Sequence, residues 1–263
     1  MNVNYLLLLP VMGKDPKTWY AHKDAGKLLP ELKLSLISLC LAERLKAPVF
    51  DTKKHVDLDP HIQQGIRDKY MKATIHTNLP EKEIFDLLTF CRDYYEIKLI
   101  DEKPSLAEVF KLKLNCMFDL AAESDRVAFL DLDVIVRSAF GALLESDAIY
   151  FYGDEGFNIV KHCTPTEGLL SICAEAGLSL DVNMWNTGFV SVPSEAFADR
   201  DLANRLHAAF NESGMISPIA EQATLGLLAT NYAKANGLEV REALEYFDHY
   251  WYYGKYKYKD FVI

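Results

Sequence analysis

Residues 126–136 read Arg-Val-Ala-Phe-Leu-Asp-Leu-Asp-Val-Ile-Val. An apolar run of this kind is a buried strand, because it has too few polar positions for a half-solvated one. Two carboxylates, Asp131 and Asp133, interrupt it at i and i+2, positions that share a face in an extended chain. A buried carboxylate without a partner is costly. Hard divalent cations are the partners such oxygens take, usually with substrate phosphates completing the shell. The stretch therefore points to a metal-dependent phosphate site. The competing reading is a strand end with two solvated aspartates, which the apolar residues on both sides disfavour.

The chain has 263 residues, of which 50% are hydrophobic and 25% charged. That is enough for a core without staples. The formal net charge of −10 argues against nucleic acid as a partner. The five cysteines (Cys40, Cys91, Cys116, Cys163, Cys173) show no metal-ligand spacing, and their apolar surroundings suit reduced core thiols of a cytoplasmic protein. No apolar run reaches the length of a membrane span.

Strand-like and helix-like segments alternate. The pattern predicts strands at Tyr5–Val11, Pro48–Asp51, Glu96–Ile100, 127–131 and Ala148–Tyr152. It predicts helices at Leu34–Leu45, Glu81–Tyr94, Pro104–Ala122 and Gly168–Leu178. This order gives an α/β fold with a mostly parallel, Rossmann-like central sheet and helices on both faces. Ligands of such sheets sit at the carboxyl ends of strands, where Asp131 and Asp133 fall. A single domain over 1–263 is expected, with a change of role near residue 180, after the Gly168–Leu178 helix.

Four further segments carry chemistry. Leu106, Phe110, Lys113, Met117 and Leu120 form one stripe at helical spacing, which puts Lys113 among apolar neighbours. It either snorkels to water or reaches a phosphate or an aspartate. Asn186-Thr187-Gly188 precedes an apolar run; glycine admits a close approach and asparagine both donates and accepts. It is a bare turn or a ligand contact. Glu221-Gln222 opens a helical run, where a carboxylate complements the helix dipole or serves a site. The tail holds His249, Gly254, Lys255 and Lys257, and histidine is a common metal ligand.

Taken in chain order, these segments resemble GT-A glycosyltransferases, most closely the retaining, glycogenin-like family 8. Phe-Leu-Asp-Leu-Asp at 129–133 resembles its DxD motif. Lys113-Leu-Asn-Cys-Met resembles the K-L-x-C-x helix ahead of it. Trp185-Asn-Thr-Gly-Phe resembles F-N-S/T-G, and Glu221-Gln222-Ala-Thr-Leu resembles D-Q-x-x-L. His249 with Gly254-Lys255-Tyr-Lys257 resembles the terminal H-x-x-G-x-x-K. The matches run from about residue 104 to 258, and residues 1–100 fit the fold by pattern alone.

The resemblance implies a transferase that uses a nucleotide-sugar donor, UDP-hexose in particular, and a glycan, protein or lipid-linked acceptor. Asp131, Asp133 and His249 would hold Mn²⁺ or Mg²⁺, with Asp131 also near the ribose. Gly254 and Lys257 would hold the leaving phosphate. Lys113 would sit near the donor, and Asn186 and Gly188 would line the sugar. Glu221 and Gln222 would flank the anomeric carbon. Tyr20 and Asp51 are candidates for base contacts.

The chain departs from the pattern at four places. Asn183 stands where aspartate is usual, and Glu221 replaces aspartate. Two extra residues separate His249 from Gly254, and Tyr258 replaces proline. Two alternatives use the same residues. One is a haloacid dehalogenase-type phosphatase with Asp131 as nucleophile and the Gly153-Asp154 pair as its later acidic motif. The other is a non-catalytic nucleotide- or glycan-binding relative of the fold.

Overall fold

The computed structural model describes residues 2–7, 25–44, 72–79, 82, 95–101, 104–161 and 163–249. Tyr20, Asp51, the strand expected at Pro48–Asp51, most of the helix expected at Glu81–Tyr94, and Gly254, Lys255 and Lys257 lie outside them.

A seven-stranded sheet runs in the order β3-β2-β1-β4-β7-β6-β8. Its strands are β1 (Asn2–Leu7), β2 (Lys72–Thr77), β3 (Tyr95–Leu99), β4 (Arg126–Leu130), β6 (Ile149–Asn158), β7 (Asn183–Pro193) and β8 (Val240–Glu242). β1, β2, β3 and β4 pair in parallel, as do β6 and β8. β7 pairs antiparallel with both β4 and β6, so one strand is reversed in an otherwise parallel sheet. Two short strands, β5 (Val134–Val136) and β9 (Phe247–His249), form a separate ribbon. The helices are α1 (Ala25–Arg44), α2 (Leu106–Glu123), α3 (Gly141–Leu144), α4 (Glu167–Glu175), α5 (Arg200–Glu212) and α6 (Ser217–Asn236). The expected α/β fold with a mostly parallel central sheet is present.

Alternation along β4 divides the core. Val127 and Phe129 pack with α2, α4, α5 and α6 on one face. Ala128 and Leu130 pack with α1 and the β5–β9 ribbon on the other. β4 is therefore buried on both faces, as its apolar run requires. On the second face Phe247 of β9 lies 4.4 Å from Phe189 and 4.8 Å from Phe140, ring centre to ring centre. This aromatic contact docks the ribbon on the sheet.

Several boundaries differ from the sequence expectation. β1 starts at Asn2, because Asn4 is a polar residue inside the sheet: its amide donates to Ala128 O at 3.0 Å. α1 begins at Ala25, well before Leu34. α2 begins at Leu106, two residues after Pro104, where Glu108 accepts from the Ser105 backbone N–H at 2.7 Å. β2 and α5 are not anticipated at all. β2 reads Lys-Ala-Thr-Ile-His-Thr, and both its apolar residues (Ala73, Ile75) and its polar ones (Thr74, His76, Thr77) are buried.

His76 sits near Asn4, its Nε2 lying 3.2 Å from Asn4 Oδ1. Burial first, and then the Lys98 charge, lower its pKa from 6.5 to about 4. The unfolded chain thus binds the extra proton between those two values. Stability is full above pH 6.5 and falls as pH drops toward 4, by on the order of 2 kcal/mol. His76→Gln should remove that part of the acid sensitivity. Urea melts at pH 7 and pH 4.5 measure it, and equal acid losses in the two proteins would contradict the assignment.

Candidate functional site

β4 ends at Leu130, and Asp131-Leu132-Asp133 forms a tight turn in which Val134 N–H donates to Asp131 O at 3.2 Å. The two carboxylates thus converge through a turn, not through the strand alternation that the sequence suggested. β5 starts at the next residue, and Val134 pairs with His249 of β9. This two-stranded ladder delivers a histidine more than a hundred residues away to the aspartate turn. Single ligand atoms of Asp131, Asp133 and His249 all lie within 4.8 Å of one another. His249 Nε2 is 3.2 Å from Asp133 Oδ1. Burial alone would lower the pKa of His249, but the Asp133 carboxylate, with Asp131 behind it, holds it above the ordinary value.

A second cluster backs the first. α2 carries Lys113 into the interior, where its Nζ lies 2.8 Å from Asp131 Oδ1 and 3.3 Å from Glu221 Oε1. It also lies 5.4 Å over the Phe129 ring. Lys113 is therefore neither snorkelling nor free. Burial opposes its charge, but Asp131 and Glu221 together outweigh burial and keep it protonated. Glu221 is 2% exposed. It sits in the second turn of α6, a helix whose residues 223–230 are all buried. It does not complement the helix dipole, because its partners are Lys113 and the Thr187 hydroxyl, which donates at 3.3 Å. Burial pushes its carboxyl up to about 7 against the pull of Lys113. The neighbouring Gln222 Oε1 accepts from Thr187 N–H at 3.3 Å.

β7 links the two clusters through an irregularity. Phe151 pairs with Val190 but Gly153 pairs with Asn186, so a two-residue step in β6 answers a four-residue step in β7. Such a bulge re-aims side chains beside a site. Trp185 and Thr187 face α6, donating to Thr230 Oγ1 and Glu221. Asn186 and Gly188 face β9. The Asn186-Thr187-Gly188 segment is inside β7, not a turn before it as its sequence suggested. The Gly188 carbonyl accepts from Asp131 N–H at 2.8 Å, which ties the bulge to the aspartate turn.

Gly188 is required by space. A Cβ on it would come 2.7 Å from His249 Nδ1 and 2.9 Å from its Cε1. Gly188→Ala should push the imidazole away from Asp133. The expected result is a loss of Mn²⁺ affinity of at least about tenfold with a small change in melting temperature. Titration of free Mn²⁺ by electron paramagnetic resonance measures this, and unchanged affinity would show that the ring can yield.

The donor set fits a divalent cation. Two carboxylates and an imidazole offer hard and borderline ligands on one side only. Three carboxylates, those of Asp131, Asp133 and Glu221, share one lysine and one histidine there. Among the expected site residues, the structure brings together Lys113, Asp131, Asp133, Asn186, Gly188, Glu221, Gln222 and His249. It also adds three that were not expected: Thr187, Tyr152 and Glu155, whose carboxylate accepts from Asn186 Nδ2 at 2.9 Å. Tyr152 OH accepts from His249 N–H at 3.1 Å, and its ring meets the imidazole edge-on. Thr187 lies between two singled-out residues, and that adjacency was the available signal. Asp154, the acidic residue of the phosphatase alternative, accepts from Asn183 and from Gly156 N–H instead.

No family profile and no curated protein matches the chain. Solved structures similar to it include the galactosyltransferase LgtC in complex with donor and acceptor sugar analogs. That likeness has 10% identity and a TM-score of 0.49 over 91% of this chain and 73% of the other. The bifunctional glycosyltransferase WbbM is 9% identical, with a TM-score of 0.48 over 87% of this chain and 37% of its own. The glycosyltransferase GlyE of Streptococcus pneumoniae is 13% identical, with a TM-score of 0.47 over 98% of this chain and 49% of its own. None of these likenesses assigns a role to a residue of this chain. No helix among the described residues is long and apolar enough to cross a membrane.

Proposed function

We propose that this protein is a metal-dependent glycosyltransferase of the GT-A type that moves a hexose from a UDP-sugar to a glycan, protein or lipid-linked acceptor with retention of configuration. The observation that carries this reading is the Asp131–Asp133–His249 donor set at the carboxyl end of a buried, parallel-paired strand. The order of the motifs along the sequence supports it. Mn²⁺ or Mg²⁺, when bound, neutralises charge that builds on a departing diphosphate.

The chain's own groups do the rest. Asp131, Asp133 and His249 hold the cation, and Lys113 holds Asp131 in place from behind. Glu221 keeps Lys113 and Thr187 aligned from inside the core. Gln222, oriented by its bond to Thr187 N–H, is the group assigned to the sugar. Gly254 and Lys257 are assigned to the leaving phosphate by the sequence resemblance. Asn186 and Gly188 serve His249, and any contact they make with the sugar is additional. Buried free thiols at Cys116 and Cys173 agree with a cytoplasmic location.

The test is a screen of UDP-glucose, UDP-galactose, UDP-N-acetylglucosamine and GDP-mannose for Mn²⁺-dependent nucleotide release, followed by NMR of the glycoside formed. Turnover of a UDP-sugar and a product anomer matching the donor are expected. Full turnover in excess chelator would overturn the metal-dependent reading. An inverted anomer would overturn retention.

A further inference from the structure

The resemblance puts Asn186 against the sugar, but the polar atoms of its amide already have partners within the protein. Gly188 N–H, which can only donate, lies 3.0 Å from Asn186 Oδ1 and so fixes which end of the amide is oxygen. The same oxygen faces the His249 ring at 3.1 Å. The nitrogen at the other end donates to Glu155 Oε1 at 2.9 Å. Glu155 therefore stands one side chain removed from the metal ligand His249. Its other oxygen, Oε2, has no hydrogen-bond partner among the described residues, and the side chain is only half-buried. Among the described residues no cation pairs with Glu155, nor with Asp154 and Glu242 beside it, where Asp154 N–H donates to Glu242 Oε1 at 2.8 Å. A carboxylate so placed accepts from hydroxyls and repels other carboxylates.

We propose that Glu155 is a specificity-determining residue of the donor site: its second oxygen accepts from a hydroxyl of the donor sugar, so that the site takes neutral hexoses and rejects uronic acids. The proposal rests on the glycosyltransferase reading above and names the sugar class within it. In that reading the cation holds the diphosphate. The sugar follows directly on the second phosphate, so it is the part of the donor that side chains next to His249 meet. A neutral hexose offers Glu155 a hydroxyl. A uronate brings a second carboxylate to a corner where no described cation offsets the first. Like charges about 5 Å apart in a partly buried site cost on the order of tenfold in affinity or more.

The test is binding of UDP, UDP-glucose and UDP-glucuronate to the full chain in the presence of Mn²⁺, followed by isothermal titration calorimetry, with melting temperature as the folding control. Wild type should bind UDP-glucose at least about tenfold more tightly than UDP-glucuronate. Glu155→Gln still offers an oxygen to Asn186 but carries no charge, and it should bring the two affinities within about threefold of each other. Glu155→Thr, which also lacks the charge and suits a strand, should do the same. If Glu155 only supported Asn186, the variants would weaken all three ligands alike and leave the ratio of the two sugars as in wild type. That result would overturn the proposal, and so would equal binding of the two sugars by wild type. In both cases Mn²⁺-dependent binding of UDP would leave the glycosyltransferase reading standing. If wild type binds no UDP with Mn²⁺, that reading falls and this proposal falls with it.

Discussion

Replacing Lys113 by methionine is expected to destabilise the protein by about 1 kcal/mol at pH 8 in metal-free buffer, and by more as pH rises further. Lys113 is the cation between Asp131 and Glu221, at 2.8 and 3.3 Å. Methionine keeps the bulk of the side chain, so the loss is electrostatic and not a cavity. Asp131 is partly open to solvent and can be hydrated, but Glu221 is enclosed. The cost falls mainly on Glu221, whose carboxyl burial already raises to about 7. Without Lys113 it rises further. A carboxyl with a raised folded pKa is no burden below its unfolded value of 4.5. It becomes one as pH rises from there toward the folded pKa. Both proteins carry that burden alike up to about pH 7, so the gap between wild type and Lys113→Met should be small at pH 5, open above pH 7 and still be growing at pH 8. Adding Glu221→Gln to Lys113→Met should recover most of the loss at pH 8, because the amide buries no charge. Urea denaturation at the two pH values measures all of this. A gap independent of pH, or no rescue in the double variant, would mean that Lys113 matters for packing alone.

The sequence discloses the parts of this site that local patterning controls. An apolar run broken by Asp131 and Asp133 declares a buried strand with a polar end, and helical spacing puts Lys113 on the sheet side of α2. What it does not disclose depends on pairing between distant segments. The bulge in β7 exists only against β6, and it sends Thr187 to one face while Asn186 and Gly188 go to the other. Read alone, Asn186-Thr187-Gly188 looks like a turn. Glu221 near the start of a helical run looks like a dipole partner; only the packing of α6 against α2 and β7 shows it to be a core residue tied to lysine. Glu155 carries no signal at all, since its contact with Asn186 crosses from β6 to β7. β2 was missed for a related reason. Its alternation of apolar and polar residues implies a wet face, yet Thr74 and His76 are buried because both faces of the sheet are covered. His249 is singled out by resemblance, but the device that brings it to the aspartate turn, three residues of β9 paired to β5 and pinned by Phe247, is not legible.

Asp133→Asn is expected to lower metal-dependent sugar transfer by about three orders of magnitude while changing the stability of the metal-free protein by less than about 1 kcal/mol. The two effects separate because of what Asp133 touches. Its Oδ1 lies 3.2 Å from His249 Nε2, and the asparagine amide can occupy the same place with either polarity toward the ring. The fold therefore keeps a partner for His249. A cation meets a different site: one carboxylate ligand and one compensating charge are gone from a cluster in which His249 and Asp133 are both buried. Mn²⁺ should raise the melting temperature of the wild type, because a ligand that binds only the folded state stabilises it. It should leave that of Asp133→Asn unchanged. The pKa of His249 should also fall, since Asp133 is the charge that holds it up against burial. A histidine titration by NMR reads that shift without substrate. Melting curves with and without Mn²⁺, run beside turnover with the best UDP-sugar donor, give the rest. A variant that keeps both the Mn²⁺ stabilisation and the turnover would show that the cation sits elsewhere and that the aspartate turn is only a strand end.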